Sequence, residues 1–141
     1  MVRLLSQSPD QTQAIGLALG RLLRPGDLIR LHGELGSGKT TMSWGIGRGM
    51  GAEQPLSSPS YLLCKEYVTD NGPLLHMDAY FEHRLASLLG EGLIERLDDQ
   101  HIVIVEWAEN VLDWLPPEGL DLHLSPDQKL FREIQVQCHG S

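Results

Sequence analysis

The stretch LIRLHGELGSGKTTMSWGI, residues 28–46, decides the fold of this chain. Within it, residues 33–40 read GELGSGKT and match the phosphate-binding loop pattern G-x-x-x-x-G-K-[ST] in full. Glycines let such a loop turn tightly and present backbone N–H groups to an anion, and the following helix adds its positive N-terminal end. Lys39 can reach the β- and γ-phosphates of a nucleotide, and the Thr40 hydroxyl can bind Mg²⁺. The stretch therefore predicts a strand, a phosphate loop and a helix in succession.

Two acidic residues that end later strands are expected to face this loop. Residues 102–105 read IVIV, four consecutive β-branched residues that favour a strand buried on both faces. Glu106 follows at its carboxyl end, which is the Walker-B arrangement that places a carboxylate beside Mg²⁺. Asp78 ends another predicted strand, where it can hold Mg²⁺ through water or orient the attacking water. His76 lies on the same face as Asp78, and a core histidine is a more common role for it than a metal ligand.

Segments of strand-like sequence predict two hairpins. Residues 62–69 and 73–80 read as strands that flank residues 70–72, the turn-forming group DNG. Residues 120–124 and 133–138 alternate strictly between apolar and polar side chains, which predicts a terminal antiparallel hairpin.

Helices are predicted on both sides of the phosphate loop. Ser8 followed by Pro9 is a capped helix start. Four apolar side chains then follow at helical spacing and predict an amphipathic helix packed on a sheet, namely Ile15, Ala18, Leu19 and Leu22. Residues 39–50 include three glycines, each of which costs up to about 1 kcal/mol relative to alanine, so the end of this helix is expected to fray. Residues 82–98 look helical with glycine interruptions, and residues 109–115 predict a short helix.

Together these elements predict an α/β fold in which a phosphate loop joins a strand to a helix, with a C-terminal antiparallel hairpin. A length of 141 residues predicts one domain over residues 1–141. No apolar run approaches the roughly 18 residues of a membrane span, and the first residues are too polar for a secretory signal. The two cysteines, Cys64 and Cys138, form no C-x-x-C pair. We therefore expect a cytoplasmic protein with reduced thiols and no membrane association.

The net charge of −8 is concentrated in the second half of the chain. Residues 1–70 carry 7 basic and 6 acidic groups, a net charge of +1, whereas residues 71–141 carry 4 basic and 13 acidic groups, a net charge of −9. Because an acidic protein is a poor autonomous binder of nucleic acid, any RNA is expected to be held by a partner. The acidic face can dock on a basic partner, although a solubilising role is more common.

The absence of two sequence features argues against two classes of phosphate-loop protein, the GTPases and the nucleoside kinases. A GTPase should carry an N/T-K-x-D motif and a D-x-x-G switch, and the sequence has neither. A nucleoside kinase needs clustered arginines to clamp its second substrate, but the four arginines after Lys39 are scattered. A compact ATPase remains, with a nucleotide-dependent binding switch and a small phosphotransferase as alternatives.

Residues 57–61, SSPSY, occupy the region where many nucleoside triphosphatases carry a switch that senses the γ-phosphate. Ser58 and Ser60 supply its hydroxyls, and an ordinary polar turn is the alternative. Trp107, directly after Glu106, either covers the site or belongs to the core.

Four ordered signatures resemble the TsaE (YjeE) family, the small bacterial ATPase of tRNA threonylcarbamoyladenosine biosynthesis. They are residues 33–41, the SPSY segment at 58–61, the HMDAY segment at 76–80 and the Glu-Trp pair at 106–107. The resemblance implies a P-loop NTPase-like fold, with a mixed, mostly parallel central sheet flanked by helices, and binding of Mg²⁺ and ATP. It also implies weak ATPase activity that depends on assembly with the TsaD–TsaB heterodimer, which modifies the adenosine next to the tRNA anticodon.

The resemblance further implies roles for individual residues. The implied catalytic residues are Lys39, Asp78 and Glu106, the metal ligands are Thr40 and Glu106, and the switch residues are Ser58 and Ser60. The implied ATP-binding residues are Asp10, Leu35, Gly36, Ser37, Gly38, Lys39, Thr40, Thr41 and Arg132. The adenine is expected between the start of the first helix and Arg132. Phe81 stands where the family commonly has arginine, and Arg84 is a possible substitute.

Overall fold

A computed structural model of the protein describes residues 2–34, 37–56, 64–80, 87, 100–126 and 132–139. Within these residues the chain forms seven strands and two α-helices. The strands are β1 (Val2–Ser6), β2 (Leu28–His32), β3 (Cys64–Thr69), β4 (Gly72–Asp78), β5 (Ile102–Glu106), β6 (Gly119–Pro126) and β7 (Arg132–His139). The helices are α1 (Pro9–Gly20) and α2 (Lys39–Met50), and the segments Ala108–Asn110 and Leu112–Trp114 are single 3₁₀ turns.

All seven described strands belong to one sheet in the order β1-β7-β6-β2-β5-β4-β3. The four central strands, β6, β2, β5 and β4, are parallel to one another. The outer pairs, β3 with β4 and β7 with β6 and β1, are antiparallel. This arrangement confirms the predicted α/β fold with a parallel centre and a C-terminal hairpin. It also brings the carboxyl ends of β2, β5 and β4 to one edge of the sheet.

Both faces of the central strands are packed. Residues on one face join α1 and α2 in the larger core cluster, which includes Ile29, Leu31, Ile102, Ile104, Met42 and Ile46. Alternate residues on the other face, including Leu28, Val103 and Val105, pack against Ala108 and Val111 of the segment that follows β5. Every residue of β5 is buried, as the run of β-branched residues predicts.

Helix α1 begins where the sequence predicts but packs by only part of the predicted face. The Ser8 hydroxyl accepts a hydrogen bond from the backbone N–H of Gln11 at 3.1 Å, which confirms the capped start. The predicted apolar face is confirmed for Ile15 and Leu19, which pack against the larger core cluster, and is wrong for Ala18, which is exposed, and Leu22, which is 74% exposed. The residues of α1 that are buried are Thr12, Gly16 and Gly20. The spacing of apolar residues in the sequence does not reveal this buried face, because two of its three residues are glycines.

The glycines of α2 form a close contact between the two helix backbones. Helix α2 does not fray as predicted. It continues to Met50 and is ended by Gly51 in the left-handed conformation, with φ of 77°. A Cβ atom added to Gly49 would overlap the backbone carbonyl of Leu17, and one added to Gly16 would lie 2.7 Å from the carbonyl oxygen of Met42. The helix tolerates its glycines because they let α1 and α2 approach this closely.

We expect Gly49→Ala to lower the free energy of unfolding by about 2–3 kcal/mol, since the added methyl forces the two backbones apart. This loss should exceed the gain of up to about 1 kcal/mol in helix propensity. Gly47→Ala is the matched control in the same helix, because its Cβ would meet the end of the Leu56 side chain, which can shift. Urea unfolding of both variants measures the difference. A Gly49→Ala protein as stable as Gly47→Ala would contradict this role for the glycine contact.

Other predictions have mixed outcomes. The β3–β4 hairpin is confirmed, with Thr69 paired to Gly72 across its turn. The short helix predicted over 109–115 is wrong, because this segment forms 3₁₀ turns instead. The helix predicted over 82–98 lies outside the described residues, apart from Ser87. None of the helices that the described residues form combines the length and apolar composition needed to cross a bilayer.

Candidate active site

Two buried carboxylates meet at the edge of the sheet where the phosphate loop begins. Asp78 ends β4, Glu106 ends β5, and the two residues are paired in register. Leu31 of β2 pairs with Glu106 on the other side, so the loop that leaves β2 starts beside both acids. Asp78 is 5% exposed and Glu106 is 3% exposed. Burying charge is costly unless it is paired, so the partners of these two carboxylates decide what the site can hold.

The carboxylate of Glu106 is held by three side chains. Its Oε1 accepts a hydrogen bond from the Thr40 hydroxyl at 3.2 Å. Its Oε2 accepts one from the Ser43 hydroxyl at 3.2 Å and lies 2.6 Å from Nε2 of His76. The structure therefore brings together the two predicted metal-binding residues, Thr40 and Glu106. A hydroxyl and a carboxylate are oxygen donors of the kind that Mg²⁺ prefers, so this pair fits that ion.

Sequence reasoning assigned no site role to Ser43 or His76. His76 is fully buried, as its interpretation as a core histidine predicts, but it also orients Glu106. Within the part of the chain that is described, its Nδ1 has no hydrogen-bond partner. The sequence spacing does indicate a position near the site for Ser43, because this residue lies one helical turn beyond Thr40 and therefore on the same side of α2.

Lys39 folds back over its own loop. Its ammonium group donates hydrogen bonds to the backbone carbonyls of Gly33 and Glu34. It also lies 3.8 Å from the centroid of the Trp107 ring, in a cation–π contact. Burial lowers the pKa of Lys39, and the charges of nearby acids, Glu109 foremost, oppose this shift. A phosphate group entering the loop would further favour the charged form of this desolvated ammonium.

Trp107 occupies a strained backbone position beside the loop. With φ of 58°, it is the non-glycine residue with positive φ among those described. Such a conformation costs on the order of 1–3 kcal/mol and is often kept at functional sites. The ring is partly exposed, covers Lys39 and makes an edge contact with Tyr80, with ring centroids 5.2 Å apart. Trp107 also packs against the smaller core cluster, so it combines the two roles left open by the sequence.

The start of α1 and the start of β7 meet at the other end of the loop. Ser6 of β1 pairs with Arg132 of β7, and the α1 cap follows two residues after Ser6. The side chain of Arg132 lies against the loop, because a Cβ built on Gly38 would be 3.5 Å from its Nε. Asp10 lies exposed in the first turn of α1. The two residues between which the adenine is expected, Asp10 and Arg132, therefore belong to elements that begin at the same corner of the described structure.

The remaining predicted loop residues have different outcomes. Gly38 precedes α2 with φ of 102°, and the Ser37 hydroxyl lies 3.5 Å from Nζ of Lys39. Thr41 lies in the first turn of α2 and is partly exposed. The other predicted residues fall outside the described residues, namely Leu35, Gly36, Ser58, Ser60, Phe81 and Arg84.

Comparison with known proteins identifies the relatives of this chain. The family model described as "Threonylcarbamoyl adenosine biosynthesis protein TsaE" matches residues 6–134. The chain belongs to the TsaE family. It is 37% identical over 135 residues to "tRNA threonylcarbamoyladenosine biosynthesis protein TsaE" of Bacillus subtilis, covering 95% of this chain and 84% of the relative. The protein of the same name from Streptomyces coelicolor is 38% identical over 117 residues, covering 78% and 76% of the two chains.

A solved structure agrees with this membership of the TsaE family. The crystal structure of YdiB from Bacillus subtilis superposes with a TM-score of 0.82 at 32% sequence identity, covering 99% of this chain and 86% of YdiB. The resemblance inferred from the four signatures is thereby confirmed. The family acts in threonylcarbamoyladenosine biosynthesis.

Proposed function

We propose that this chain is a Mg²⁺-dependent ATP-binding protein and a weak ATPase, stimulated by partner proteins, that serves threonylcarbamoyladenosine modification of tRNA. Family membership supports the pathway. The observation that carries the enzymatic part is the contact of the Thr40 hydroxyl with the Glu106 carboxylate, directly beside Asp78.

The phosphate loop is proposed to bind the triphosphate. The ammonium of Lys39 leaves the carbonyls of Gly33 and Glu34 and contacts phosphate oxygens instead, where its charge is better compensated. Backbone N–H groups of the loop and the positive end of α2 complete the anion site. Arg132 and Asp10 flank the base at the corner where α1 and β7 begin.

Mg²⁺ is proposed to bind at Thr40 and Glu106, where it would neutralise charge on the phosphates. Ser43 and His76 fix the orientation of the Glu106 carboxylate, so that it need not reorganise when ATP arrives. Asp78 is proposed to orient the attacking water, because it ends the strand next to Glu106. Ser58 and Ser60 remain the proposed sensors of the γ-phosphate.

Partner proteins are proposed to complete the site. Among the described residues, Lys39 and Arg132 are the cations placed at the loop, which is modest compensation for a triphosphate. We propose that the TsaD–TsaB heterodimer supplies further positioning and charge, and that tRNA is reached only through it, since this chain carries a net charge of −8.

Steady-state ATP hydrolysis, measured with and without purified TsaD–TsaB and tRNA, tests this proposal. We expect slow turnover by the chain alone and a rise of about tenfold or more with the partners, because positioning and charge stabilise the transition state. Turnover that does not change with the partners would contradict partner dependence.

A binding switch is the second candidate function, and the folded-back position of Lys39 in the loop favours it. The same assay with Asp78→Ala distinguishes this switch from an ATPase. We expect the variant to bind ATP but to lose both turnover and tRNA modification, while Asp113→Ala, an exposed acid in the second 3₁₀ turn, behaves as the wild type. A variant that hydrolyses nothing and still supports modification would favour the switch. Transfer of labelled γ-phosphate to a metabolite would instead indicate a phosphotransferase.

A further inference from the structure

A cluster of three histidines around one aspartate lies on the face of the sheet that points away from α1 and α2. Arg30 and His32 of β2 alternate with Ile29 and Leu31, which face the helices. Strand register places Arg30 beside Asp121 and His32 beside His123 of β6. We call His32, Asp121, His123 and His139 the histidine cluster. Glu106 contacts side chains of α2, so the candidate active site lies on the opposite face.

Asp121 is the fixed centre of the histidine cluster. Its Oδ1 lies 2.7 Å from Nε2 of His32, and its Oδ2 lies 3.0 Å from Nε2 of His139. Arg30 donates hydrogen bonds to the two oxygens at 2.8 and 3.0 Å. Burial by itself would raise the pKa of Asp121, but the hydrogen bonds from Arg30 and His32 lower it to about 2. The carboxylate is therefore ionised and held in one orientation at neutral pH.

The imidazoles beside Asp121 are arranged closely enough to share one ligand. The rings of His32 and His123 are stacked, with centroids 4.3 Å apart and planes 11° from parallel. One ligand atom from each of His32, Asp121 and His123 lies within 4.8 Å of the other two.

We propose that His32, Asp121 and His123 bind a divalent transition-metal ion of the Zn²⁺ type. Imidazole nitrogen and carboxylate oxygen are the ligands that Zn²⁺ takes at about 2.0–2.2 Å. Replacing the His32–Asp121 hydrogen bond by such an ion requires the two atoms to separate from 2.7 Å to about 3.3 Å in tetrahedral geometry. His123 can turn toward the same ion because it is exposed.

Neighbouring groups supply the outer shell and the opening of this site. Arg30 holds the carboxylate by two hydrogen bonds, as outer-shell partners of metal ligands commonly do. The exposed imidazole of His139 pairs with Oδ2 of Asp121, and a cavity of about 380 Å³ beside Leu115 and Pro117 is lined by all three histidines. Because the charge of Arg30 opposes a dication, we expect a dissociation constant on the order of micromolar.

Titration of the tag-free, EDTA-treated full chain with Zn²⁺ and with Co²⁺, in the absence of nucleotide, tests the proposal. We expect one equivalent of Zn²⁺ by calorimetry and the visible absorption bands of tetrahedral Co²⁺. His123→Gln should weaken binding at least about tenfold. His101→Gln is the matched control, because His101 also pairs with a carboxylate, Glu66 at 3.0 Å, outside the cluster. Circular dichroism and thermal unfolding establish that each variant is folded.

Three outcomes would overturn the metal site. Wild-type protein that takes up neither ion at 100 μM would do so, as would equal binding by His123→Gln and wild type. Loss of Zn²⁺ in Glu106→Gln together with normal binding in His123→Gln would assign the ion to the proposed Mg²⁺ position instead. This test is independent of the proposed ATPase activity, because it measures metal binding without nucleotide.

Discussion

Replacing Lys39 with methionine should reduce ATP affinity and kcat/KM by about 100-fold or more, since it removes the cation that contacts the phosphates. The folded state should keep its stability to within about 1 kcal/mol, because burial already disfavours the ammonium and the methionine stem still packs on Trp107. Isothermal calorimetry with ATP, steady-state turnover and urea unfolding measure the three quantities.

Lys65→Met is the matched control for this experiment. Its ammonium lies 5.0 Å from the centroid of the Tyr67 ring, so the substitution also removes a lysine–aromatic contact, but on β3. We expect its ATP affinity and turnover to equal those of the wild type. Normal ATP affinity in Lys39→Met would show that the loop binds phosphate without this lysine and would contradict the proposed site.

Glu106→Gln should reduce the rate of ATP hydrolysis by about 100-fold or more and should remove the dependence of ATP affinity on Mg²⁺. The amide keeps the shape of the carboxylate and can still accept from Ser43 and His76, but it lacks the charge that holds a hard cation. ATP affinity measured with and without Mg²⁺ separates the loss of metal from any loss of nucleotide binding.

The control for Glu106 is Glu66→Gln. Glu66 is exposed on β3 and forms the other described pair of a glutamate with a histidine, His101. It should leave turnover and the Mg²⁺ dependence unchanged. Retention of Mg²⁺-dependent binding in Glu106→Gln would indicate that the metal is held elsewhere, and the role of the Thr40–Glu106 contact would then be structural.

The positions of these residues could largely be predicted from sequence, because strong local rules govern them. The loop pattern fixes Lys39 and Thr40, and a run of β-branched residues followed by an acid fixes Glu106 at the edge of a parallel sheet. The position of Asp78 could be predicted because the sequence of the β3–β4 hairpin places this residue near the end of the second strand. The structure confirms that all four lie together, while their roles remain predictions.

What could not be predicted depends on tertiary packing. Strand β1 has little apolar periodicity, and only its pairing with β7, far away in the chain, makes it a strand. The contact face of α1 contains Gly16 and Gly20, which carry no hydrophobic signal. Residues 109–115 have helical spacing but follow the left-handed turn at Trp107, and they form tight 3₁₀ turns. The contact between His76 and Glu106 could not be predicted either, because it depends on the register in which β4 and β5 pair.

The position of β2 at the centre of the sheet has a consequence for the order in which the molecule is made. Its neighbours are β5 and β6, which both belong to the last third of the chain. During translation the phosphate loop therefore leaves the ribosome long before Glu106 and the strands that flank it. Among the described residues, the contacts that can form earlier include those of α1 with α2, the β3–β4 hairpin, and the hydrogen bonds of its turn to Met50 and Gly20. A nascent chain should thus carry the loop without a completed site until β5 and β6 have left the ribosome.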